Sequence, residues 1–127
     1  MNDAYLPITD ALNALSEAVK AAIPSNSPVS ILQGNWSFPG ITRNELVAVA
    51  TALAEKVSAI TLSPTKESAA SITGLAERIE FLTENTVPHL TSQSAAIPVY
   101  LTTLDSVERA MKLVLLDSKA LAHRESL

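Results

Sequence analysis

Ile97, Tyr100, Leu104, Val107, Met111, Val114, Ser118 and Leu121 follow one another at alternating spacings of three and four residues. That period puts all of them on one face of a single long helix. No other feature of the chain restricts its fold as strongly. A long helix with one apolar stripe has to lay that stripe on other apolar surface, because water disfavours its exposure. The helix is expected over roughly Ala96 to His123, with Pro98 in its first turn, where the missing amide hydrogen has no intrahelical acceptor to lose. Asp105–Arg109 and Glu108–Lys112 place the acid four residues before the base, the better orientation on a helix.

Three shorter helices can supply the opposing surface. Ile8, Leu12, Leu15, Val19 and Ile23 form the stripe of the first, predicted from Thr9 to Ala22 with Thr9 as N-cap and Pro24 as its stop. The second opens on Thr42-Arg43-Asn44-Glu45, which has the form of a capping box, and continues with Leu46, Val49, Leu53, Val57 and Ile60. Ser63-Pro64 reads as the cap and first residue of the third, whose stripe is Ile72, Leu75, Ile79 and Leu82. Pro88 should end it by Thr86, because a proline disfavours helix at the residue before it. The stretch from Asn85 to Ala95 is polar and is expected to be an exposed link.

Four amphipathic helices hide their stripes best against one another, so the expected fold is all-α, a compact antiparallel four-helix bundle in one domain. A continuous coiled-coil rod is disfavoured by Pro24, Pro28, Pro39, Pro64 and Pro88 in the connections. The connection between the first two helices, about residues 23–41, is long for a bundle. It is also apolar, with Val29, Ile31, Leu32, Trp36, Phe38 and Ile41, which argues against disorder. Ser27 to Asn35 fits a helical turn stopped by Gly34, and equally one half of a small hairpin in which Val29–Leu32 and Trp36–Phe38 flank Gln33-Gly34-Asn35. Ile31, Trp36, Phe38 and Ile41 are candidates either to close the end of the bundle or to form a recognition loop.

Catalytic chemistry finds little to work with. The chain has no cysteine, which excludes disulfides and thiolate chemistry, and two histidines, His89 and His123, neither with an evident acid or nucleophile partner. Glu77, Glu80 and Glu84 share a helix face, yet no Glu-x-x-His pair accompanies them, so a solvated face is expected rather than a metal site. Glycines at 34, 40 and 74 cannot make a phosphate loop. Asn35-Trp36-Ser37 fits a glycosylation sequon, but no secretion signal precedes it. No cofactor, no metal and no enzymatic activity are expected.

A net charge of −4 argues against a nucleic-acid partner. Charged residues make up 17% of the chain, against about 25% for an average soluble domain. A surface so poor in charge resists association weakly. On the long helix, Leu116 falls within the polar stripe of Asp105, Glu108, Lys112 and Lys119, while Leu113 and Leu115 are expected on its flanks. Leu113, Leu116 and Ala120 are therefore candidate interface residues, joined by Val47, which lies among Asn44, Thr51 and Glu55 on the second helix.

The function expected is a cytoplasmic, non-enzymatic interaction or oligomerisation module with a protein partner, itself included. The absence of Gly or Pro at the end of the last helix suggests that the chain is the N-terminal module of a longer protein. One alternative is a small-ligand-binding bundle with residues 29–41 as a lid. Another is a helical membrane-active domain built on Met111–Leu116, which the acidic composition disfavours.

Overall fold

The computed structural model describes residues 3–26, 28–33, 36–93 and 95–126, and among them the chain is mostly helical. Its four α-helices are α1 Leu6–Ala22, α2 Arg43–Ser58, α3 Lys66–Phe81 and α4 Ala96–Ser126. Two strands, β1 Pro28–Gln33 and β2 Trp36–Thr42, lie between α1 and α2 and pair antiparallel. Helix α1 packs on α2 and α3, while α4 packs on α2, α3 and the segment after α3.

Helix α1 starts earlier than its sequence suggests, and Thr9 is not its cap. Pro7 occupies the first turn, where a preset φ and a dispensable N–H let a helix begin without a side-chain cap. The Thr9 hydroxyl donates back to the Tyr5 carbonyl at 3.4 Å instead. Tyr5 itself is buried and donates its hydroxyl to the Leu62 carbonyl at 3.0 Å, holding the α2–α3 link against the start of α1.

The capping box of α2 is present in full. The Glu45 amide donates to Thr42 Oγ1 at 3.2 Å, and the Thr42 amide donates to Glu45 Oε1 at 3.4 Å. Val49 does not belong to the buried stripe, being 37% exposed. Ala50 and Ala54 take the inner positions, where a small side chain lets α2 approach its main neighbour α1 closely.

Thr65, rather than Ser63, caps α3, and Pro64 lies outside the helix. The Ser68 amide donates to Thr65 Oγ1 at 3.0 Å, and the Thr65 hydroxyl donates to Ser68 Oγ at 2.9 Å. One hydroxyl can accept and donate at once, so a buried cap is fully satisfied there. Ser68 Oγ in turn donates to Asp117 Oδ2 at 3.4 Å, tying the start of α3 to α4.

After Phe81 the chain widens into a π-helical turn, Leu82–Thr86, and then tightens into a 3-10 turn, Val87–His89. The stretch beyond Asn85 is thus not simply exposed: Thr86, Val87 and Leu90 are buried. Pro88 sits at the start of the 3-10 turn, a position that needs no amide donor. The stripe of α4 is buried from Ile97 through Ser118, with Leu121 half-buried beyond it. Ser118 interrupts the apolar series without leaving an orphan, since its hydroxyl donates to the Val114 carbonyl at 2.8 Å.

At the middle of the core Tyr100 is fully buried, and its hydroxyl donates to the Leu46 carbonyl at 2.8 Å. Burial raises the pKa of this phenol well above its ordinary value near 10. The unfolded chain therefore releases the proton first, so stability is intact below about pH 10 and falls above it. Tyr100→Phe is expected to lower stability by about 0.5–1.5 kcal/mol at neutral pH and to flatten the alkaline loss. Urea titrations at neutral and alkaline pH measure both effects.

The link between α1 and α2 is the hairpin, not a helical turn. Val29 pairs with Ile41 and Ile31 with Phe38, which leaves Ser30 facing both Pro39 and Gly40, a β-bulge. A bulge is one of the few places where a strand tolerates proline. Val29 and Ile41 are half-buried and pack against the core, anchoring the base of the hairpin. Arg43 Nη1 donates to the Ile23 carbonyl at 3.3 Å and the Asn44 amide to Asn26 Oδ1 at 3.0 Å, so the first end of the link is pinned to the start of α2, where its second end runs into the helix.

Candidate functional site

Leu113 and Leu116 each follow a buried residue of α4, Met111 and Val114, by two positions. Two residues turn a helix by about 200°, which carries both leucines to the side opposite the core. Leu113 is 63% exposed and Leu116 62%, and Ala120 beside them is exposed as well. Lys112, Asp117 and Lys119, all exposed, flank the three. One turn earlier the same face becomes polar, with Arg109 Nη2 held by Asp105 Oδ2 at 3.0 Å.

The remaining interface candidates are placed differently. Val47 is half-buried and packs against the core, so it forms no part of this outer face. Leu115, expected on a flank, is half-buried and turned toward α2. The reason is the narrow angular margin between a stripe and its flank: one residue's rotation, about 100°, separates an inward leucine from an outward one. Ile41 is half-buried against the core at the hairpin base. The side chains of Ile31, Trp36 and Phe38 lie outside the described residues, as do Gly34 and Asn35 between the strands.

A second feature lies between α2 and α4. Lys56 Nζ donates to Glu108 Oε1 at 2.6 Å across the seam. On one side of this bridge a cleft of about 200 Å³ is lined by residues that include Val49, Leu53, Leu101 and Leu104. On the other, a cleft of about 290 Å³ is floored by Val57, Ile60, Met111 and Leu115. Both clefts are lined by residues of α2 and α4, with Ile60 from the turn after α2, and not by the 29–41 segment. The hydrogen bond from Lys56 holds the Glu108 carboxyl below the usual carboxylate range, against partial desolvation, and the charges of Lys56 and Lys112 act in the same sense. Its contribution to stability is present above the unfolded carboxylate pKa near 4.3 and is lost as pH falls below it. With Lys56 65% exposed, solvent screening keeps that contribution below about 1 kcal/mol.

His89 and His123 are both exposed, as are Glu77, Glu80 and Glu84. Among the described residues no group of three His, Cys, Asp or Glu is placed to hold a metal ion. No helix among them is long and apolar enough to cross a membrane.

Two exposed apolar residues escape a sequence reading based on stripes. Phe81 is 63% exposed at the end of α3, and Val99 is 47% exposed in the first turn of α4. Each lies next in sequence to or two away from a buried stripe residue, so hydrophobicity alone does not separate them from the core. From Ala21 to Thr42 the chain carries no charged residue, a signal in the sequence that marks the hairpin and its approaches.

Comparison of the chain with models of protein families, with curated proteins and with solved structures finds no match.

Proposed function

We propose that this chain is a non-enzymatic helical interaction module that associates with protein, and with itself, through the outer face of α4. The observation that carries this reading is the exposure of Leu113 and Leu116 at 63% and 62% on the side of α4 opposite a completed core stripe. A helix that already buries one apolar face gains nothing for its own fold from a second, and clustered exposed leucines suit a protein interface. The low charged fraction, 17%, supports the same reading, and the absence of cysteine is in keeping with a cytoplasmic setting.

The scaffold for that face is a four-helix bundle made of two antiparallel helical hairpins. Tyr5–Leu62 at one end and Arg43–Ile23 at the other support α1 against α2. Arg78–Ser106 and Ser68–Asp117 support α3 against α4. Leu46–Tyr100 and Lys56–Glu108 ascend together along α2 and α4, which favours these two running in the same sense where the hairpins meet.

Sedimentation equilibrium over a wide concentration range tests the function. The wild-type chain is expected to associate, and Leu113→Asp with Leu116→Asp to remain monomeric with unchanged helical circular dichroism. A wild-type chain that stays monomeric throughout overturns self-association.

A further inference from the structure

We propose that two copies of this chain pair through α4 with the two helices running in the same direction. This rests on the self-association reading above and adds its geometry. Leu113, Leu116 and Ala120 are spaced by three and then four residues, the spacing of the seam in a two-stranded coil. Lys112 precedes the first of them and Asp117 follows the second, so the two charges lie on opposite flanks of the seam.

The flanks decide the direction. In a same-sense pair, the residue before one seam position meets the partner's residue five places further along. Lys112 then faces Asp117 of the partner subunit, and the two-fold symmetry repeats the contact. In an opposed pair each flank meets its own copy, which brings Lys112 and Lys119 against the same two lysines of the partner subunit. Like charges so placed disfavour that arrangement. Lys112 forms no ion pair among the described residues, and Asp117 is engaged by the Ser68 hydroxyl alone at 3.4 Å, so both are open to a partner.

The favourable seam is short. At the next step Lys119 meets Arg124 of the partner subunit, and before Leu113 the seam position is Arg109, already held by Asp105. Three apolar layers bury well under the roughly 1,200 Å² of a stable interface, so the pair belongs to high protein concentration.

The chain contains no cysteine, so a single introduced thiol is an unambiguous reporter. Leu113→Cys and Ala120→Cys, each made separately in the full chain, are oxidised at high concentration and compared with Glu77→Cys on α3. A same-sense pair brings each seam position against its own copy, so both seam variants form disulfide dimers much faster than the control. An opposed pair allows at most one of them, and dimers at one position only overturn the proposal. Equal rates in all three, or no dimer at either seam position in a chain that still associates, overturn it as well while leaving self-association standing. Lys112→Asp is expected to weaken association about two- to fivefold, and adding Asp117→Lys to restore it. Failure of the double exchange to restore it overturns the charge pairing.

Discussion

Leu104→Ala is expected to lower stability by about 2–5 kcal/mol, and Leu116→Ala by less than about 0.5 kcal/mol, although both are leucines of the same helix. Leu104 is 1% exposed, so truncating it removes buried methyl groups and leaves a void that the surrounding core only partly fills. Leu116 is 62% exposed and loses little that water does not already touch. Denaturant titration of the dilute monomer measures the difference. Comparable losses at both positions would mean that the outer face of α4 is covered by its own chain, and the interaction reading would fall with it. The contrast also protects the association experiment, because a change at Leu116 that alters assembly without altering monomer stability acts on the interface.

Gly40→Ala is the second large effect, at about 1–3 kcal/mol. A methyl group added at Gly40 would lie 2.7 Å from Pro28 Cβ and 3.1 Å from the Val29 carbonyl oxygen. The proline ring cannot swing aside as a flexible side chain would, so the strands have to part at the bulge. Loss of amide hydrogen-exchange protection in β1 and β2, together with a lower midpoint of unfolding, is the expected result. Gly74 supplies the opposite case. Nothing lies within 4 Å of a Cβ at that position, and the residue is in the interior of α3. Gly74→Ala should therefore raise stability by about 0.5–1 kcal/mol, since alanine restricts the unfolded chain and favours the helix. If both substitutions shift stability in the same direction, close packing is not what keeps glycine at position 40.

Much of the helical framework was legible without coordinates, and the reasons are local. The α4 stripe repeats over enough turns that no other period accommodates it, and the Thr42–Glu45 box announces the start of α2 through atoms only three residues apart. The caps of α1 and α3 were harder. Helix α1 starts at Pro7's turn with no side-chain cap, whereas α3 is preceded by both Ser63 and Thr65, and the choice between them depends on which one the tertiary structure buries and satisfies. Thr65 wins over Ser63 because its hydroxyl joins a bonded chain that reaches Asp117 on another helix. Likewise Val49 and Ala50 compete for the inner side of α2, and the close approach of α1 selects the smaller residue.

The candidate site divides along the same line. That Leu116 interrupts a polar stripe, with Leu113 and Leu115 toward its flanks, could be read from spacing, because helical period is a property of the chain alone. Which of Leu113, Leu115 and Val47 stays outside was a matter of where the neighbouring helices lie. Leu115 turns toward the α2 cleft and Val47 packs on the core, while Leu113 is exposed. The apolar link between α1 and α2 shows the limit most clearly. Its residues were compatible with a helical turn or a hairpin, since short apolar runs carry no decisive period. The pairing of Val29 with Ile41, their burial at the core edge and the pinning of the link's first end by Arg43 and Asn44 select the hairpin. The existence of the helices, the stripe of α4 and its surplus of leucine follow from backbone period and residues a few positions apart, so the chain alone carries them. The starts of α1 and α3, the strand pairing and the side of each helix that water reaches depend on partners distant in the chain, and so they emerge only on folding.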